Sequence, residues 1–398
     1  MKLDVRDIDV KGKRVLVRCD FNVPLKNGKI TDDFRIKSSL ETINYLINHG
    51  AKVILMSHLG RPKGEYKEEF SLLPVKERLE KFLGQKVGFL STPDVVNEEV
   101  REMANSLHNG EVMLLENTRF VAGEEKNDPT FGAELASLGE YYVNDAFGTA
   151  HRAHCSNVGV GSLLPSVSGF LLAKEIKHLG DALENPERPF IAILGGAKVS
   201  DKITVIEHLL DKVDILLIGG AMANTFLGAK GNAMGKSLVE EDAFTVARDL
   251  MKKAEDRSVR LVLPVDLLVT KDIEKQIGVT NVDVSHVPED AMAVDIGEKT
   301  LELFSSEIEK GKTIVWNGPM GIFEIPAYSK GTFGVAKAMA ATQGVTIIGG
   351  GDSAHAIKLS GYEEEVSHVS TGGGASLEMM EGKRLPGIEI LKDKESHA

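Results

Sequence analysis

The chain has 398 residues, 42% hydrophobic and 27% charged, which is too long for one ordinary core and points to two globular domains. A net charge of −12 argues against general nucleic-acid or membrane-surface binding, so an anionic ligand must be held by locally clustered cations. The two cysteines, Cys19 and Cys155, form no Cys-x-x-Cys pair and read as buried small residues, not as a disulfide framework or zinc site. No stretch approaches the ~18 apolar residues of a membrane span, and the N-terminal segment lacks the apolar run of a secretion signal. A cytoplasmic protein is expected.

In chain order, residues 14–18 form a β-type run that leads into Asp20, Phe21 and Asn22 and is stopped by Pro24. Residues 36–49 read as an amphipathic helix, preceded by Asp32 and Asp33 and with Arg35 at its start. A second strand, 51–56, ends in Ser57, His58, Leu59, Gly60 and Arg61. The third, 111–115, runs into Arg119, and the fourth, 141–144, into Asp145, His151, Arg152 and His154. Helical patterns at 75–83, 98–108 and 130–138 lie between them, as expected of a mostly parallel sheet flanked by helices. A helix-like stretch near 168–183 separates the two halves.

The second half has the same architecture with different punctuation. Apolar runs end in glycine at Gly195 and Gly196, at Gly219 and Gly220, at Gly318 after Asn317, at Gly349 to Gly351, and at Gly372 to Gly374. In an open parallel sheet the C-terminal strand ends share one edge, where ligands bind, and glycine turns gathered there suit a nucleotide. After the first turn, Ser200 and Asp201 are candidate helix caps, and Lys198 and Lys202 share a helical face if both are helical. A short tail, 388–398, ends in charged residues and is expected to be mobile.

The strand ends differ in chemistry between the halves. The first half carries Arg18, His58 with Arg61, Arg119, and Arg152 flanked by His151 and His154. Each alone would be an ordinary surface charge or packed imidazole. Converging on one edge, they suit a small polyanion. In the second half, Asp352 beside Ser353 reads equally as a Mg²⁺ ligand or a helix N-cap. Glu324 could accept hydrogen bonds from ribose hydroxyls. The segment from Gly231 to Ser237 imitates a P-loop but is one residue short between its glycines. The segment from Gly349 to Ala354 imitates a dinucleotide fingerprint, yet lies late in the chain with an acid in the turn.

Taken in order, the motifs resemble the phosphoglycerate kinase family over essentially the whole chain. They are Arg18-Cys-Asp-Phe-Asn-Val-Pro, Ser57-His-Leu-Gly-Arg-Pro, Glu116-Asn-Thr-Arg-Phe, Asp145-Ala-Phe-Gly-Thr-Ala-His-Arg and Leu194-Gly-Gly-Ala-Lys-Val-Ser-Asp-Lys. Val315-Trp-Asn-Gly-Pro-Met-Gly-Ile-Phe-Glu, Gly349-Gly-Gly-Asp-Ser and Ser370-Thr-Gly-Gly-Gly-Ala-Ser-Leu-Glu complete the set. The resemblance implies an α/β fold of two Rossmann-like domains joined by a hinge helix. Residues 1–170 with about 387–398 would bind phosphoglycerate, and 171–386 the nucleotide. The implied reaction is 1,3-bisphosphoglycerate + ADP ⇌ 3-phosphoglycerate + ATP, with Mg²⁺, in glycolysis.

Carried over by motif, Asp20, Phe21, Asn22, Arg35, His58, Leu59, Gly60, Arg61, Arg119 and Arg152 would hold the phosphoglycerate. Gly195, Lys198, Lys202, Gly219, Gly220, Ala293, Asn317, Glu324, Gly351, Asp352, Ser353 and Ala354 would hold ADP or ATP, with Asp352 on the metal. Arg35, Lys202, Gly373 and Gly374 would act at the transferring phosphate. Cys19, Ala221 and Ala293 depart from the family's usual Val, Gly and Gly, which leaves nucleotide-pocket detail open. The implied partners are these small molecules alone, with no nucleic acid or membrane, bound to a monomer whose domains close. A nicotinamide dehydrogenase is disfavoured by the missing early fingerprint. A pure nucleotide-binding module would not need a cationic partner edge.

Overall fold

The computed structural model describes residues 1–395. They divide into two compact units, Met1–Lys177 with the chain from Arg384 on, and His178–Lys383.

In the first unit the chain forms β1 (Arg14–Arg18), a hairpin of β2 (Leu25–Lys26) and β3 (Lys29–Ile30), α1 (Phe34–Asn48), β4 (Lys52–Met56) and α2 (Leu73–Leu83). Then come β5 (Val87–Phe89), α3 (Glu98–Asn105), β6 (Val112–Leu114), α4 (Pro129–Ala136), β7 (Tyr141–Asn144), β8 (Ser166–Ser168) and the start of α5 (Phe170–Glu184). The sheet is parallel in the order β5-β6-β4-β1-β7-β8. Its central strands β1, β4 and β6 carry continuous apolar runs because both faces are covered. Val15, Val17, Val53 and Leu55 pack with Ile36, Ile43, Val75 and Leu79 of α1 and α2. The alternate residues Leu16, Ile54 and Met56 pack with Val100, Phe131 and Leu135 of α3 and α4. The strand order reverses between β1 and β7, which opens a crevice at their carboxyl ends.

Besides the short β2–β3 hairpin, two strands of this parallel sheet have no counterpart in the sequence reading. β5 contains Gly88 and β8 is Ser-Val-Ser, so neither carries an apolar run. The helix expected from 168 starts at Phe170, since Ser168 pairs with Asn144 as strand. Asp145, from the end of β7, accepts hydrogen bonds from the N–H groups of Leu171 and Leu172 at 3.0 and 3.4 Å and so caps α5 from outside. Burial pushes its carboxyl up to about 7.

The second unit takes the rest of α5, then β9 (Phe190–Leu194), α6 (Ile203–Leu210), β10 (Ile215–Ile218), α7 (Gly220–Ala229), α8 (Phe244–Asp256) and β11 (Arg260–Val262). It continues with β12 (Asp266–Thr270), β13 (Thr280–Asp283), β14 (Met292–Ile296), α9 (Glu298–Lys310), β15 (Thr313–Asn317), α10 (Lys330–Ala341), β16 (Val345–Ile348), α11 (Gly351–Ser360), β17 (His368–Val369) and α12 (Gly373–Met380). The main sheet is parallel in the order β11-β10-β9-β15-β16-β17. All the glycine-ended runs therefore finish on one edge, and the order reverses between β9 and β15. A small antiparallel sheet, β13-β12-β14, was not anticipated. Trp316 is fully buried in the core, and its Nε1 donates to Gly318 O at 2.7 Å, which fixes the turn after β15.

The tail expected to be mobile is ordered as far as it is described. After α13 (Pro386–Glu389), Lys392 N donates to Ser166 O and accepts through its own carbonyl from Leu3 N, each at 2.8 Å. Leu391 is buried. Residues 396–398 lie outside the described part.

Candidate functional site

At the carboxyl edge of the first sheet, the loops after β1, β4 and β6 lock together. Asn22 Oδ1 accepts from Gly60 N at 2.9 Å, and Asn22 N donates to Asp20 Oδ1 at 3.1 Å. Arg35, at the start of α1, donates to Asn22 O at 2.6 Å and lies 3.4 Å from Asp20 Oδ1. Arg119 donates to Gly60 O at 3.1 Å and pairs with Glu125 at 3.4 Å. The Asn117 side chain holds Leu59 by its N–H and its carbonyl, at 3.2 and 2.7 Å. Gly60 has φ +60°, and a Cβ there would strike the Phe70 ring.

Arg18 is the cation the sequence reading left outside the ligand set. It is 1% exposed, behind the edge, with Nη2 2.8 Å from His58 Nδ1 and Nε donating to Ser156 Oγ at 2.9 Å. His58 is buried too, and burial followed by the charges of Arg18, Arg119, His154 and Arg35 holds its pKa well below the usual imidazole value. His154 is lowered in the same way, chiefly by burial. The site's positive charge is thus carried by arginines. Arg61 and Arg152 are exposed and make no side-chain hydrogen bond or ion pair among the described residues. Phe21 and Leu59 have buried side chains, so they offer a ligand backbone only. A cavity of about 430 Å³ opens beside Asn22 and Arg35, lined also by Pro24, Asp32 and Phe34.

The second edge is built from backbone. Gly195 N donates to Asn317 O at 2.9 Å, Gly196 N to Pro319 O at 3.1 Å, Gly219 N to Leu194 O at 2.9 Å and Gly220 N to Met320 O at 3.1 Å. The turns pack so closely that a Cβ on Gly195 would lie 2.1 Å from Pro319 O. These glycines serve turn-on-turn contact, and their N–H groups are already bonded. Free donors lie one strand further on, at the starts of α11 and α12. The first N–H groups of a helix have no intrahelical partner, so Gly351, Asp352, Gly373 and Gly374 present theirs outward. The two helix starts adjoin, with the Gly373 Cβ position 3.5 Å from Gly351 N.

Lys202 reaches this spot and donates to Asn317 Oδ1. Its ammonium is largely desolvated, which pushes its pKa down to about 8 against the opposing pull of Asp201 and Asp352. Asn317 Nδ2 in turn donates to Gly349 O at 3.0 Å. Ser200 and Asp201 do not cap α6. They lie in a short 3₁₀ turn, Val199–Asp201, between Lys198 (φ −127°) and Lys202 (φ −121°), so the two lysines share no helical face. Ser200 instead donates from N and Oγ to Glu240, at 3.2 and 2.6 Å. That tether spans 40 residues and leaves no local trace in the sequence.

Asp352 is exposed, with no hydrogen bond or ion pair among the described residues, and the N-cap of α11 is Gly350 (φ +98°). Of its two readings, the cap fails. A lone free carboxylate beside helix N-termini suits Mg²⁺, which takes one or two carboxylates and leaves the remaining positions to phosphate and water. No group of three His, Cys, Asp or Glu gathers around a metal position among the described residues. Ser353 is buried, and its Oγ accepts from Gly318 N at 2.6 Å, so its side chain ties α11 to the β15 turn. Ala354 is half-buried beside it, and Lys198 and Glu324 are exposed. Ala293 lies on β14, its N–H bonded to Ser237 Oγ at 2.9 Å. The P-loop-like segment from Gly231 follows helix α7, not a strand.

A family model described as phosphoglycerate kinase matches residues 5–383. The phosphoglycerate kinase of Finegoldia magna is 56% identical over 393 residues, 99% of this chain and 100% of that protein. That of Clostridium perfringens is 55% identical over 394 residues, 99% of each. Among solved structures, phosphoglycerate kinase from Coxiella burnetii superposes with a TM-score of 0.92 at 41% identity, covering 98% of both chains. The enzyme from Pyrococcus horikoshii OT3 gives 0.83 at 35%, again with 98% of each. With its motifs in order along two α/β units and relatives matched end to end, the chain belongs to the phosphoglycerate kinase family.

Proposed function

We propose that the two strand edges divide the family's reaction between them, the arginine edge holding phosphoglycerate and the glycine edge holding ADP or ATP. The reaction is the Mg²⁺-dependent, reversible transfer of a phosphoryl group between 1,3-bisphosphoglycerate and ADP, giving 3-phosphoglycerate and ATP. The observation that carries the nucleotide half is the meeting of Lys202, the free Asp352 and the starts of α11 and α12.

The acceptor in the ATP-consuming direction is a carboxylate, ionised at neutral pH, so no general base is needed. The work left to the protein is to place two anions in line and neutralise charge on the moving group. Arg35, Lys202 and the N–H groups of Gly373 and Gly374 take that role. Lys202 exchanges Asn317, a neutral acceptor, for a phosphate oxygen. Asp352 would hold Mg²⁺, which when bound adds positive charge to the phosphate oxygens. Asp20 orients Arg35, and Asn22 with Arg119 fixes the loop that carries His58 and Arg61. Ligand-driven approach of the two units belongs to this reading, and compaction in small-angle scattering with both ligands bound tests it.

No helix among the described residues is long and apolar enough to cross a membrane. A cytoplasmic monomer is the form proposed, and sedimentation tests the monomer. The deciding experiment is ATP formation from ADP and 1,3-bisphosphoglycerate, with and without Mg²⁺, on wild type and Lys202→Ala. Mg²⁺-dependent turnover that is largely lost in the variant is expected. No turnover by folded wild type that still binds ADP would sink the kinase reading.

A further inference from the structure

We infer that Arg18 is a positioning residue that fixes His58 in the tautomer with its proton on Nε2, making His58 a directed hydrogen-bond donor at the arginine edge. The identity of the anion it meets rests on the function proposed above; the tautomer does not.

Arg18 Nη2 lies 2.8 Å from His58 Nδ1. A guanidinium has donors only and stays protonated, so Nδ1 must be the acceptor. A neutral imidazole carries one N–H, which leaves the proton on Nε2. Arg18 has no freedom to leave. It is 1% exposed, and Nε is bonded to Ser156 Oγ at 2.9 Å. Its Nη1 donates to Cys19 O and sits 3.4 Å from Ser57 Oγ. Ser57 Oγ also donates to His58 O at 2.8 Å, so the ring and the backbone of His58 are anchored by one network.

Two further observations point outward. His58 Nε2 has no partner among the described residues, which makes it the ring's one polar atom left for a ligand. The charged and titratable groups facing the ring are Arg18 on β1, Arg119 after β6, Arg35 on α1 and His154. Each of these opposes a second proton on the ring, and burial adds to them. The arginines then supply charge that does not titrate, while His58 supplies direction. An anionic oxygen placed at Nε2 gains a donor whose orientation is set before binding, so no ordering cost falls on the imidazole.

The test is long-range ¹H–¹⁵N NMR on the full chain with labelled histidine, without ligand. His58 should show an unprotonated Nδ1 and a protonated Nε2 that do not change between about pH 5 and 8. Arg18→Met removes the donor. It should give mixed tautomers and a pKa raised from that of wild type yet still below the ordinary ~6.5, because burial, Arg119, His154 and Arg35 remain, with KM for 3-phosphoglycerate raised roughly tenfold and kcat changed less. An imidazolium or an Nδ1–H tautomer in wild type overturns the inference, as does a folded Arg18→Met with an unchanged tautomer. The wild-type spectrum alone decides the tautomer, so a variant that fails to fold leaves the test intact. An inactive chain with the tautomer fixed would sink the functional reading only; an active chain with a charged His58 would do the reverse.

Discussion

The two strand edges solve the same problem by different means. Both lie at the carboxyl ends of a parallel sheet, where its strand order reverses, and both are arranged for anions. The first edge uses long side chains. Arg35 is 45% exposed and held by two acceptors, whereas Arg18 is buried in a closed network. The second uses main chain, with glycine turns interlocked so tightly that their N–H groups bond to neighbouring turns and only the helix starts remain free. A side-chain edge can lose a group and keep its shape. A backbone edge cannot change a residue without moving the turn opposite.

That contrast can be broken by experiment. The largest effect is expected from Arg35→Ala, a loss in kcat on the order of 100-fold or more with stability within ~0.5 kcal/mol of wild type. Near-normal turnover would remove Arg35 from the chemistry. On the other edge, Gly195→Ala should destabilise by about 3 kcal/mol, because the new Cβ meets Pro319 O with no side chain to yield. An unchanged Tm would mean that these glycines serve the ligand alone.

A third test concerns charge. Lys202 titrates at about 8, so it is protonated below that pH and neutral above it. KM for ADP should therefore be flat up to about pH 8 and rise above it, by at most ~10-fold per unit. Lys202→Arg should abolish that slope, whatever its kcat, and a slope that persisted would assign the titration elsewhere. The smallest effect is expected from Glu240→Ala, which frees the turn carrying Lys198 and Lys202. A rise of about fivefold in KM for ADP with kcat nearly kept is predicted, reversed in Glu240→Gln. Equal kcat loss in both variants would argue for a general structural defect.

What could be read from sequence follows from what each feature depends on. The runs at 14–18, 141–144 and 190–194 were legible because strands buried on both faces carry near-continuous apolar runs, and the structure gives β1, β7 and β9 those same bounds. Ser-Val-Ser of β8 was not, since its place is set by pairing with β7 and not by its own composition. The arginines and glycines of the site stood out as residue types. Their division of labour did not, because it depends on contacts far apart in the chain, as between Arg18 and Ser156 or Ser200 and Glu240. The same limit explains Ser353, which is read as a ligand from its neighbours and found holding the β15 turn.

The ordered tail bears on how the protein is made. Gly387 N donates to Ala150 O and Lys394 N to Met1 O, each at 2.8 Å, and Asn144 Nδ2 donates to Gly387 O at 3.1 Å. The first unit is therefore finished by residues that leave the ribosome only after the whole of the second unit. During synthesis its sheet must wait, with the edge at β8 lacking its Lys392 contact, while the whole of the second unit emerges. The later-made unit, continuous from His178 to Lys383, is the one that can fold in a single pass.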